Sequence, residues 1–69
     1  MPENLMDGLF SEMNRVREIA EEYESQPKGA GAFAALSMRF EITNTENAII
    51  DNDITKIISC YKSLKEYEL

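Results

Sequence analysis

Apolar residues recur along the first third of the chain at Met6, Leu9, Met13, Val16, Ala20 and Tyr23. The steps alternate three and four, which places all six on one face of an α-helix. Leu5, Phe10 and Ile19 flank that stripe. They widen it past a two-position seam, as a globular bundle needs and a long two-stranded coiled coil does not. The pattern predicts a first helix over residues 3–24. Asn4 or Glu3 stands near its N-terminus, and Asp7 puts negative charge in the first turns, where the helix dipole favours it. Gly8 costs such a helix up to about 1 kcal/mol relative to Ala, which points to close packing there.

The pattern breaks at Ser25-Gln26-Pro27-Lys28-Gly29-Ala30-Gly31. Pro27 disfavours helical geometry at Gln26, and it can equally begin the next helix. So short a link implies antiparallel neighbours, an αα-hairpin. A second helix is predicted from residue 30 or 32 to 49. It has two apolar faces, one of Phe33, Leu36 and Phe40, the other of Ala35, Met38, Ile42 and Ile49. A helix apolar on two sides is expected to pack on two sides. Thr43, Asn44, Thr45 and Asn47 compete for backbone hydrogen bonds, so fraying or a kink is expected in its second half. Asp51-Asn52-Asp53 forms the second break; either Asp can cap a third helix, and Asp53 with Thr55 and Lys56 reads as its start, giving a helix over 53–67. Its stripe is Ile54, Ile57, Tyr61 and Leu64, with Lys62 and Lys65 at the end that favours cations.

Length narrows the fold. A chain of 69 residues holds one domain, residues 1–69, with a core too small for comfort without regular helices, a metal, disulfides or a partner. Cys60 is the only cysteine and there is no histidine, which rules out an internal disulfide and a tetrahedral zinc site. Helix packing and oligomerisation remain. The predicted fold is therefore all-α, a helical hairpin plus a third helix, assembling into a dimeric bundle. No apolar run approaches the roughly 20 residues of a membrane span, and the first residues lack the features of a signal peptide. With the lone thiol, this reads as a cytoplasmic protein that does not engage membranes.

Charge is unevenly placed. Residues 1–25 set seven acidic residues against Arg15 and Arg17, a net −5 of the chain's −6. Residues 26–50 balance, with Lys28 and Arg39 against Glu41 and Glu46. An acidic surface repels phosphates, so direct nucleic-acid binding is not expected; a basic protein partner or a divalent cation suits it, and so does plain solvation.

Candidate chemistry is sparse. Glu18, Glu21 and Glu22 stand three and four apart and can share a helix surface, where clustered carboxylates can bind Mg²⁺ or Mn²⁺. The cluster resembles the metal-binding glutamates of the all-α nucleotide pyrophosphohydrolases, the MazG-like family. That resemblance implies a metal-dependent nucleotide hydrolase. It covers only these few residues, and the chain is shorter than that family's domains. The family's second pair, Glu-x-x-Asp on the next helix, has no counterpart, since Glu46 and Asp51 are spaced differently. The plainer reading is a solvated face opposite the apolar stripe. Without histidine a di-iron carboxylate site is closed, and Cys60 lacks an activating base, so it reads as structural. Lys28-Gly29-Ala30-Gly31 precedes a helix and could hold an anion, but it lacks the phosphate-loop pattern; small residues for close backbone approach explain it. Tyr23, Tyr61 and Tyr67 read equally as partner anchors or as ends of the core. Arg17 and Glu21 are placed for an exposed i,i+4 pair.

The function expected from these residues is that of a non-enzymatic, small acidic interaction module, an adapter, regulator or accessory subunit, working as a homo-oligomer without a cofactor. Its candidate interface residues are Phe33, Leu36, Phe40, Ile42, Ile49 and Tyr61. The alternative is a Mg²⁺- or Mn²⁺-dependent all-α hydrolase using Glu18, Glu21 and Glu22.

Overall fold

The computed structural model describes residues 4–68. It is all-α, with α1 spanning Leu5–Glu24, α2 spanning Ala32–Ile50 and α3 spanning Ile54–Lys65. Asn4 caps α1 by accepting a hydrogen bond from the Asp7 N–H at 2.8 Å. Asp53 caps α3 in the same way through the Lys56 N–H at 3.1 Å. Both caps satisfy backbone donors that a helix leaves open at its start. Glu3, the other expected start of α1, lies outside the described residues.

The helices run up, down and up. Arg17 meets Glu46 and Glu24 meets Arg39, so α2 is antiparallel to α1. Gly8 lies beside Tyr61 and Arg15 beside Leu64, so α3 returns in the direction of α1. The link between α1 and α2 is a single 3₁₀ turn, Pro27–Gly29. Lys28 and Gly29 are both left-handed there, at φ 61° and 72°. Pro27 therefore opens this turn and not α2. Gly31 is buried against α1, and a Cβ on it would overlap the Tyr23 carbonyl. The expectation that small residues in this link permit close backbone approach is met at that position. Asn52, at φ 54°, turns the chain from α2 into α3; Asn tolerates this conformation better than most residues.

The core collects Leu9, Met13, Val16, Ile19 and Ala20 from α1. From α2 come Ala35, Met38, Ile42 and Ala48, and from α3 Ile57 and Leu64, with Cys60 buried beside them. The predicted stripe of α1 is thus its buried face, with Met6 and Tyr23 packed at its ends. In α3 the buried set is Ile57, Cys60 and Leu64, so the stripe loses its first member and shifts by one residue from Tyr61 to Cys60. Ile54, next to the link, stays 54% exposed, and Cys60 is buried instead.

No kink interrupts α2. The helix is continuous through Thr43–Asn47, against the expectation of fraying. The Thr45 hydroxyl donates to the Glu41 carbonyl at 2.8 Å, one turn back in the same helix, so it does not pull the backbone elsewhere. Thr45 is fully buried between Ile42 and Ala48 along the inner face. Packing of that face outweighs the weak local preference, the usual source of helix stability in a folded protein.

Candidate functional site

The two apolar faces of α2 meet different fates. Ala35, Met38 and Ile42 point into the core, together with Thr45 and Ala48. Ile49 packs against the core's edge. Phe33, Leu36 and Phe40 point the opposite way and are 85%, 68% and 67% exposed. Spaced by three and four residues, they form one stripe along the first half of the helix. With Ser37 they line a shallow, purely apolar groove of about 310 Å³.

Of the six candidate interface residues, this surface gathers three. Ile42 is buried in the core, Ile49 is half-buried, and Tyr61 is half-buried with its hydroxyl against Gly8. A Cβ on Gly8 would stand 2.9 Å from that hydroxyl, so the glycine is where close packing was expected. The Lys65 ammonium lies 4.9 Å from the centre of the Tyr61 ring, an attractive cation–π distance. Tyr23, Tyr61 and Tyr67 all pack against the rim of the core.

Polar groups border the stripe on both sides. On the α1 side Arg39 grips Glu24 with two hydrogen bonds, Nε to Oε2 at 2.7 Å and Nη2 to Oε1 at 2.8 Å. The guanidinium holds the Glu24 carboxyl below its ordinary pKa, chiefly through these hydrogen bonds. On the α3 side the Ser37 and Tyr67 hydroxyls approach to 3.3 Å. Phe10, Ile50, Ile54 and Ile58 are also exposed to varying degrees.

The glutamates sit elsewhere. Glu18, Glu21 and Glu22 are exposed on α1. Glu18 and Glu22 border a small recess with Arg15 and Ile19, while Glu21 lies within electrostatic reach of Arg39. Among the described residues no three of His, Cys, Asp and Glu are grouped as metal ligands would be. Nor does any buried side-chain N or O among them lack a hydrogen-bond partner that a ligand would supply.

Two arginines of α1 reach the neighbouring helices. Arg17 does not pair with Glu21; it crosses to α2, bonding Glu46 at 3.3 Å and Asn14 at 3.0 Å. Glu46 on the neighbouring helix offers a tertiary partner that spacing within α1 does not reveal. Arg15 fastens the end of α3. Its Nη1 donates to the Tyr67 carbonyl at 2.6 Å and its Nη2 to the Leu64 carbonyl at 2.9 Å. Glu12 holds the same guanidinium at 3.1 Å. These carbonyls lie at and just past the C-terminus of α3, where cations are favoured, and that of Leu64 also accepts the Tyr67 N–H at 3.3 Å. No sequence signal announces such a contact, because its acceptors are main-chain atoms far along the chain.

No helix among the described residues is long and apolar enough to cross a membrane. Comparison of the chain with known protein families, characterised proteins and solved structures yields no match.

Proposed function

We propose that this chain is a small non-enzymatic interaction module that acts as a homo-oligomer, with the outer face of α2 as its contact surface. The observation that carries this reading is the stripe of Phe33, Leu36 and Phe40. The core closes without it, since Leu9, Val16, Ala20, Ala48 and Leu64 are already fully buried. Three large apolar side chains held in water on one rigid helix are a cost with no benefit to the monomer. Contiguous patches of that kind mark contact surfaces. The acidic outer surface of α1 is the place where a basic protein partner would add to this contact. A cytoplasmic setting suits the single unpaired thiol.

The test compares the wild-type chain with the double variant Phe33→Ser, Phe40→Ser, each immobilised and exposed both to soluble wild-type chain and to extract of the source cells. The variant should fold as the wild type does, by circular dichroism, and should lose the proteins that the wild type retains. A retained set unchanged by the substitutions overturns the assignment of this face.

A further inference from the structure

We draw no further inference here: the strongest candidate, the exposed apolar stripe of Phe33, Leu36 and Phe40 on the outer face of α2, belongs to the contact surface already described, and nothing in the structure shows what covers it.

Discussion

The inner and outer faces of α2 are both apolar, yet the larger side chains are on the outside. The inner face is built from Ala35, Met38, Ile42, Thr45 and Ala48, and the outer from Phe33, Leu36 and Phe40. Small residues at Ala35 and Ala48 let α2 lie close to its neighbours, just as Gly31 lets its first turn sit on the end of α1. Phenylalanines in their place would hold the helices apart. Apolar character alone thus does not decide which way a helix faces. Side-chain volume, matched to the room between helices, decides it.

The sharpest way to break this comparison is to truncate one residue on each face. Ile42→Ala should cost about 3 kcal/mol, since it removes buried methyl groups and leaves a cavity. Phe40→Ala should change monomer stability by less than about 0.5 kcal/mol, as exposed positions do. Urea melts at high dilution read both. Equal losses would mean that the outer stripe belongs to the fold.

Gly31→Ala comes next, at about 2 kcal/mol, because the new methyl group meets backbone at Tyr23 and not a mobile side-chain end. Gly8→Ala faces only the end of the Tyr61 side chain and should cost clearly less. The two melting temperatures give the ranking, and a reversal would show that α2 is not held at its first turn.

Arg15→Ala should cost about 1.5 kcal/mol, the worth of hydrogen bonds from a charged donor. Arg15→Lys should recover only part of this, since an ammonium cannot span the two carbonyls and Glu12 as the planar fork does. The inner face is closed by α3, so hydrogen exchange should speed up first at the end of α3 in both variants. Unchanged exchange there would remove Arg15 from its fastening role.

The smallest effect belongs to the pair bordering the two faces. Glu24 has its pKa lowered in the folded chain by Arg39. Its contribution to stability is therefore complete above the ordinary carboxylate range and is lost as pH falls through the lowered folded value. Wild type and Glu24→Gln should differ slightly in melting temperature at neutral pH and converge in acid. A gap that widens in acid would contradict the assignment.

Much of this arrangement is legible in the residues. The alternating steps of Leu9, Met13, Val16 and Ala20 define the buried side of α1, and Asn4 and Asp53 cap helices where their side-chain chemistry suits. The two faces of α2 are equally visible. Which of them turns inward is not, because Phe33-Leu36-Phe40 and Ala35-Met38-Ile42 share one periodicity, and the space each must fill exists only once α1 is in place. For that reason periodicity alone groups Ile42 and Ile49 with Phe33 and Phe40 as interface candidates. Thr43, Asn44 and Asn47 misled in the opposite direction: local preference argued for a kink, and burial of Thr45 prevailed. The grip of Arg15 on two main-chain carbonyls leaves no side-chain pattern to read.

The separation of a strongly acidic α1 from the apolar outer stripe of α2 also sets how the chain behaves in crowded solution. At neutral pH the charge of −6 repels one copy from another at distances beyond contact. Near the isoelectric point of about 4.4 that long-range repulsion vanishes, while the phenylalanines are unchanged. Precipitation is therefore expected to be easiest near that pH, where net charge no longer opposes contact between exposed apolar side chains.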